Sequence, residues 1–203
     1  MTVDVETPYG VARAHRYQTP EARAGLVLGH GAGGGVGAPD LVAVARAAQS
    51  ERLEVVLVEQ PYRVAGRRSP PPARQLDAAW RAVLERLRSD ELAGLPLVVG
   101  GRSSGARVAC RTADATGAVA VLCLAFPLQP PRRAGAPAAT SRLEELDGVG
   151  VPTLVVQGER DPFGIPPAGP RRTVALVAGD HSLKADLGAV AAVAREWLAD
   201  VLA

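Results

Sequence analysis

Short apolar runs that alternate with amphipathic stretches form the main pattern along this chain. The runs are rich in Val and Leu and end in Gly, Pro or a charged residue, which is typical of strands buried on both faces. The predicted strands cover residues 24–29, 53–59, 95–100, 118–125, 153–157 and 173–177. Residues 9–18 are expected to add one or two edge strands.

Helical spacing fills the intervals between these strands. Residues 74–90 place Leu76, Trp80, Val83, Leu84 and Leu87 on one helix face, which predicts an amphipathic helix lying on a sheet. Further helices are predicted at 39–50, from about 105 to 114, at 141–146 and at 185–202. Residues 60–72 and 127–137, rich in Pro, are expected to be loops.

Strands that alternate with helices in this way predict an α/β fold. We expect a doubly wound, mostly parallel sheet with helices on both faces and a minimal lid. A length of 203 residues, 47% of them apolar and 3% aromatic, suits a single domain over residues 1–203 with a core of Val, Leu and Ala.

Charge and targeting patterns exclude several classes of function. A net charge of +2 is too small for a typical nucleic-acid-binding protein, so no nucleic-acid partner is expected. The first ten residues carry Asp4 and Glu6 and no apolar signal segment. The apolar run at 118–126 is far shorter than the roughly 20 residues that cross a bilayer. We therefore expect a cytoplasmic protein without a membrane partner, and the sequence leaves the oligomeric state open.

The two cysteines do not predict a metal site. Cys110 falls in a predicted helix and Cys123 in a predicted strand, without a CxxC spacing or a nearby His. Buried, reduced thiols are the simpler interpretation, and no metal or cofactor is expected.

A candidate nucleophile follows the strand at 95–100. Residues 101–105 spell G-x-S-x-G between a strand and a helix, the context in which this motif forms a sharp turn that exposes its serine. Gly101 and Gly105 supply the small flanking residues that such a turn needs. Ser103 is the predicted nucleophile.

A serine needs a base to take its proton and an acid to orient the base. Of the three histidines, His181 follows the last predicted strand, and Asp161 follows the strand before it. The order Ser103, Asp161, His181 is the Ser–acid–His order of α/β-hydrolases. Asp180 is a rival acid, but neighbouring side chains in an extended segment point in opposite directions, so it is poorly placed to orient His181.

Two backbone amides are expected to hold the negative charge that develops on the substrate. The amide of Ser104, directly after the nucleophile, is one candidate. The amide of Ala32 is the first choice for the other, and that of Gly33 the second. His30, which precedes this glycine-rich loop, is expected to brace it rather than to transfer protons.

The same loop also fits a different function. Residues 29–34 spell G-x-G-x-x-G after a strand, and Glu59 ends the next strand, as in dinucleotide-binding folds. That fingerprint requires a helix starting at the glycines, whereas the predicted helix starts at Pro39. A dinucleotide site would also leave Ser103, Asp161 and His181 unexplained.

Several arginines occupy loops expected near the same sheet edge, including Arg63, Arg67, Arg68 and Arg102. Guanidinium groups suit carboxylates and phosphates. Arg102 and Arg63 are therefore substrate-binding candidates, and a solvated rim or a brace for the loops is the alternative.

These motifs resemble the α/β-hydrolase superfamily, more narrowly its dienelactone-hydrolase-like branch. Within that branch the chain is similar to a compact group that includes a subunit of the NSL histone acetyltransferase complex and testis-expressed hydrolase-like proteins. The likeness rests on five segments: His30-Gly31-Ala32-Gly33-Gly34, Gln60-Pro61-Tyr62-Arg63 with Gly66-Arg67-Arg68, Gly100-Gly101-Arg102-Ser103, Gln157 to Gly164, and Asp180-His181-Ser182. Ser104 departs from the group, which usually carries Met there. Pro166, Pro167 and Pro170 interrupt a stretch that is often helical in hydrolases.

The residues and the resemblance together imply a serine hydrolase, similar to carboxylesterases, that acts on small acyl esters through an acyl-enzyme. The alternatives are a hydrolase fold used as an interaction scaffold with little activity, and a dinucleotide-binding protein.

Overall fold

The computed structural model describes residues 1–130 and 140–203. It contains the following strands and helices, in chain order: β1 (Thr2–Thr7), β2 (Gly10–Tyr17), β3 (Ala24–Gly29), α1 (Pro39–Ser50), β4 (Leu53–Glu59), α2 (Pro61–Val64), α3 (Ala73–Ser89), β5 (Leu97–Arg102), α4 (Ser104–Thr116), β6 (Ala120–Leu124), α5 (Leu143–Asp147), β7 (Thr153–Gly158), β8 (Arg172–Val177) and α6 (Leu187–Val201).

All eight strands join one sheet in the order β1-β2-β4-β3-β5-β6-β7-β8. Strands β3 to β8 pair in parallel, whereas β1 and β2 form an antiparallel hairpin whose second strand pairs with β4. The predicted α/β fold with a mostly parallel sheet is confirmed.

Helices cover both faces of the sheet. Along β3, Val27 packs in the core layer that contains α3 and α4, while Leu26 and Leu28 pack in the layer that contains α1 and α6. Successive side chains of a strand point to opposite faces, so the continuous apolar runs of the sequence fill two core layers at once. Trp80 of α3 is the largest fully buried side chain of the described residues.

Three local features differ from the sequence-based expectation. The hairpin begins at Thr2, earlier than predicted. The predicted loop 60–72 contains the single-turn helix α2, for which Pro61 is suited as a first-turn residue. Strand β5 continues through Gly101 and Arg102, because these residues still pair with Cys123 and Leu124 of β6. Of the Pro-rich loop at 127–137, the last residues lie outside the described part, so the expected small lid remains a prediction.

Parallel strands bring their carboxyl ends to the same edge of the sheet, where their loops converge. At this edge His30 follows β3, Asp161 follows β7 and His181 follows β8, while Ser103 directly follows the last residue of β5. The fold therefore collects most of the sequence's candidate residues in one region.

Candidate active site

Ser103 lies on a sharp turn between β5 and α4. Its backbone angles, φ 52° and ψ −109°, fall where a side chain is strained, at a cost of about 1–3 kcal/mol. The turn is held by the amide of Ser103, which donates to the carbonyl of Leu124 at 2.9 Å. Helix α4 packs directly on β3, and a Cβ atom on Gly105 would overlap the carbonyl oxygen of Gly29. Only glycine fits there, so the lack of space explains the second glycine of the G-x-S-x-G pattern.

The structure brings Ser103, His181 and Asp161 into one hydrogen-bonded row. Nε2 of His181 lies 2.9 Å from Oγ of Ser103, and Nδ1 of His181 lies 2.7 Å from Oδ2 of Asp161. The carboxylate of Asp161 is fully buried, and the imidazole of His181 is 18% exposed. With Nδ1–H donating to the carboxylate, Nε2 is left as an acceptor for the serine hydroxyl.

The carboxylate of Asp161 is held by two further donors. The side-chain amide of Gln157 donates to Oδ2 at 2.8 Å, and the backbone amide of Phe163 donates to Oδ1 at 2.9 Å. The Gln157 amide also lies within hydrogen-bond distance of the carbonyls of Phe126 and Gly164. These bonds fix the direction in which Asp161 presents Oδ2 to the imidazole.

The loop that carries His181 is shaped by Asp180. The carboxylate of Asp180 accepts hydrogen bonds from the amide and hydroxyl of Ser182, which lower the pKa of Asp180. Asp180 is exposed and accepts its hydrogen bonds from the neighbouring Ser182, whereas Asp161 is the acid at hydrogen-bond distance from His181. On the other side, the ring of Phe163 meets the His181 ring edge-on, with centroids 4.5 Å apart.

The glycine-rich loop after β3 lies beside the nucleophile, since a Cβ atom on Gly31 would be 3.5 Å from Cβ of Ser103. Among the residues that the structure describes, the amides of Ala32, Gly33 and Ser104 have no acceptor. Ser104 is the first residue of α4, where backbone amides lack intrahelical partners and attract negative charge.

His30 and Tyr62 hold this loop in place. The amide of Gln60 donates to Nε2 of His30 at 3.1 Å, so Nδ1 carries the proton and donates to the carbonyl of Gly31 at 2.8 Å. Burial lowers the pKa of His30 and keeps the imidazole neutral. The hydroxyl of Tyr62 donates to the carbonyl of Ala32 at 2.8 Å, and burial raises the pKa of Tyr62 to about 12. These bonds agree with the expected bracing role of His30.

The two arginines predicted to bind substrate have other partners. Arg63 lies on α2 and donates to the carbonyl of Arg67 at 3.3 Å. Arg102 forms an ion pair with Asp40, with Nε 2.8 Å from Oδ2, and its Nη2 donates to the carbonyl of His181 at 2.9 Å. Both side chains therefore have partners within the protein in the absence of a substrate.

The described residues lack metal-binding clusters and membrane-spanning helices. Residues 1–130 and 140–203 contain no group of His, Cys, Asp and Glu side chains that could hold a metal ion. Cys110 and Cys123 are buried free thiols with their sulfur atoms 3.4 Å apart. Within the same ranges, no helix has the length and apolar character needed to span a bilayer.

Sequence reasoning missed three side chains near the triad. Gln157 and Phe163 entered only as members of the segment 157–164, with no role assigned to either. Asp40, a fully buried carboxylate in the first turn of α1, gave no signal, because an acid at that position is ordinary on an exposed helix.

Comparison with known proteins places the chain in a family. A family model described as an alpha/beta hydrolase domain matches residues 22–189. The chain belongs to this family. Among curated proteins, none matches the sequence.

Several solved structures share the fold of this chain. Est1E from Butyrivibrio proteoclasticus is 13% identical with a TM-score of 0.79, over 99% of this chain and 98% of that one. A lidless serine hydrolase from Xanthomonas campestris is 17% identical with a TM-score of 0.74, over 97% of this chain and 92% of that one. A dienelactone hydrolase from Anabaena variabilis is also 17% identical with a TM-score of 0.74, over 98% of this chain and 95% of that one.

The family match also bears on the dinucleotide alternative. Helix α1 begins at Pro39, several residues beyond the glycines, so its amino end does not meet the G-x-G-x-x-G segment as that fingerprint requires. The chain belongs to the alpha/beta hydrolase domain family, and the glycine-rich loop lies beside Ser103.

Proposed function

We propose that this α/β-hydrolase is a serine hydrolase that cleaves small acyl esters through a Ser103–His181–Asp161 triad. The observation that carries the proposal is the pair of distances at His181, 2.9 Å to the serine oxygen and 2.7 Å to the carboxylate. Both lie within the range needed for proton transfer and for orienting the base.

The reaction has two halves. In the first, Oγ of Ser103 attacks the carbonyl carbon while Nε2 of His181 takes the hydroxyl proton, and the imidazolium is stabilised by the Asp161 carboxylate. The protonated His181 then donates that proton to the leaving alcohol as the acyl–oxygen bond breaks. In the second half, water loses a proton to His181 and attacks the acyl carbon. His181 then returns that proton to Oγ of Ser103 as the acyl–oxygen bond breaks and the acid leaves.

The amides of Ser104 and Ala32 would hold the negative charge on the tetrahedral intermediate, with Gly33 as the second choice for the latter. Their lack of acceptors among the described residues supports this role, since donors that are already positioned need no rearrangement during the reaction. The chemistry uses no cofactor or metal.

The preference for small esters rests on the accessibility of the nucleophile. Ser103 is half-buried rather than enclosed by the described residues, and the sequence between β6 and Asp161 predicts no large lid. The solved neighbours include a hydrolase described as lacking a lid and an esterase that has been seen with bound ferulic acid. Placement in the narrower NSL-related group, a cytoplasmic location and a single domain over residues 1–203 remain predictions.

The test is hydrolysis of p-nitrophenyl esters from acetate to octanoate by the wild type and by Ser103→Ala. We expect the shortest esters to react fastest and Ser103→Ala to lose nearly all activity. Ser89→Ala is the matched control, because its hydroxyl bonds only within its own helix, and it should keep full activity. Equal rates for Ser103→Ala and the wild type would remove Ser103 from the reaction. Absence of hydrolysis in the wild type across esters, thioesters and lactones would favour the scaffold alternative.

A further inference from the structure

Arg102 connects two parts of the molecule that are far apart in sequence. It is the last residue of β5, directly before Ser103, and its side chain is only 18% exposed. Its Nε forms the ion pair with Asp40 at the start of α1, and its Nη2 donates to the backbone carbonyl of His181. One guanidinium therefore holds both the α1 end and the loop that carries the imidazole.

These contacts leave little of the guanidinium for a substrate. Nη2 donates to the carbonyl of His181, and Nε lies 2.8 Å from Oδ2 of Asp40 in an ion pair that lacks hydrogen-bond geometry. The remaining nitrogen, Nη1, packs against the glycine-rich loop so closely that a Cβ atom on Gly31 would lie 3.0 Å from it. An arginine that binds an anionic substrate needs donors that face the cleft, whereas Arg102 directs Nε and Nη2 to the protein.

Asp40 anchors the arginine. Its carboxylate is completely buried, and burial raises the pKa of Asp40 while the charge of Arg102 opposes that rise. Among the described residues, Arg102 is the one cation within ion-pair distance of Asp40. Removing one partner of such a pair leaves the other charge buried and uncompensated, so the two side chains stabilise each other's position.

The His181 backbone needs this support because it lies outside regular structure. Residues 178–186 form bends and turns between β8 and α6. The imidazole is held at its ring by Ser103, Asp161 and the edge of Phe163. The bond from Arg102 adds a restraint at the main chain of the same residue.

We propose that Arg102 is a positioning residue for the general base: Asp40 holds the guanidinium, and the guanidinium holds the His181 carbonyl so that Nε2 stays at hydrogen-bond distance from Ser103. The inference rests on the proposed function, since it assigns Arg102 a role in positioning the base of the same Ser103–His181–Asp161 triad. It replaces the substrate-binding role that the sequence suggested for Arg102.

The test compares Arg102→Gln and Arg102→Lys with Arg172→Gln. Arg172 is a matched control, because it also pairs with a carboxylate, Asp147, and donates to a carbonyl, that of Pro167, but lies at the amino end of β8. Each variant is assayed on neutral p-nitrophenyl acetate and on the anionic mono-p-nitrophenyl succinate, with folded protein quantified by its melting transition.

Loss of positioning predicts a fall in kcat of about 10- to 100-fold on both esters, because displacing a reacting group by about 1 Å costs that much. KM should change less than about twofold, and Arg102→Lys should recover part of the loss by keeping the charge beside Asp40. Arg172→Gln should lower the melting temperature and leave kcat of the folded protein unchanged. A loss confined to the anionic ester, carried by KM, would assign Arg102 to substrate binding and overturn the inference. Unchanged kcat on both esters would overturn it as well.

A second measurement separates this inference from the proposed function. The hydrogen-bonded Nδ1 proton of His181 should give a downfield proton NMR signal that is absent in His181→Ala. In Arg102→Gln this signal should shift or broaden, and in Arg172→Gln it should not, whether or not the protein turns over esters. If the wild type lacks hydrolase activity but the signal responds to Arg102→Gln, the positioning contact holds and the proposed function fails. A signal unmoved in Arg102→Gln contradicts the positioning role.

Discussion

Replacing Gln157 by Leu should lower both the free energy of unfolding and kcat. Gln157 is fully buried, and its amide nitrogen lies within hydrogen-bond distance of Asp161, Phe126 and Gly164. Leu leaves the carbonyl of Gly164 without a donor among the described residues, at about 1–3 kcal/mol, and removes one charge-assisted bond from Asp161, at about 1.5–3 kcal/mol. Phe126 keeps the amide of Leu128, and Asp161 keeps His181 and Phe163. The substitution also removes an amide oxygen, Oε1, that has no partner among the described residues, which offsets part of the cost.

The net expectation is a loss of about 3 kcal/mol in the free energy of unfolding. For a chain of this length that loss lowers Tm by about 6–12 °C. Because Oδ2 of Asp161 then has one fewer restraint, kcat of the folded protein should also fall by about tenfold or more.

Gln157→Glu should lower stability in a way that depends on pH. It places a second carboxyl against Oδ2 of Asp161, and like charges at this separation favour a shared proton in the folded state. The folded variant then binds more protons than the unfolded chain, so its stability falls as pH rises. We expect Gln157→Glu to be less stable than Gln157→Leu at pH 8 and to recover toward it near pH 5.

Urea denaturation at pH 5 and pH 8 measures these differences, with ester hydrolysis as the second readout. Gln49→Leu is the control, because its amide makes one 3.3 Å bond at an exposed site, and it should change stability by less than about 0.5 kcal/mol. Wild-type stability and kcat in Gln157→Leu would refute the reasoning that this amide fixes the acid.

Three further substitutions test the elbow and the loop after β3. Gly105→Ala should lower the free energy of unfolding by about 3 kcal/mol or more, or prevent folding, because the added Cβ atom overlaps the Gly29 carbonyl. Soluble yield and Tm measure this effect, and a wild-type Tm would contradict the close packing of Gly105 on Gly29. Tyr62→Phe loses the bond to Ala32, and we expect about 1 kcal/mol less stability with lower kcat at unchanged KM; an effect on KM alone would argue against loop positioning. Burial lowers the pKa of His30, so the unfolded chain binds more protons below about pH 6.5 and stability falls with acid. His30→Asn should therefore lose more stability relative to the wild type at pH 7 than at pH 5 in denaturant titrations, and a constant difference would refute this.

The sequence allowed the fold and the row of candidate residues to be predicted because both depend on local signals. Apolar runs mark strands, and parallel strands place whatever follows them at one edge, so Ser103, Asp161 and His181 could be assigned to one region without any contact being known. Their order along the chain added the chemistry.

The supporting contacts could not be predicted in the same way. The sequence leaves open whether Arg102 binds substrate or braces the loops, because a position beside the nucleophile does not determine a rotamer. Its partner Asp40 lies on a helix far away in the chain. The single-turn helix α2 was missed because one turn gives no periodicity. Long-range packing, rather than local propensity, decides such features.

Reaction of the wild-type protein with a fluorophosphonate, followed by peptide mapping in a mass spectrometer, tests the central claim most directly. Only a serine whose proton is taken by a positioned base attacks phosphorus at a useful rate. The account predicts one adduct per chain on the peptide that contains Ser103, formed much more slowly in His181→Ala. An intact wild-type chain that stays unmodified, or that carries the adduct on another serine, would contradict it.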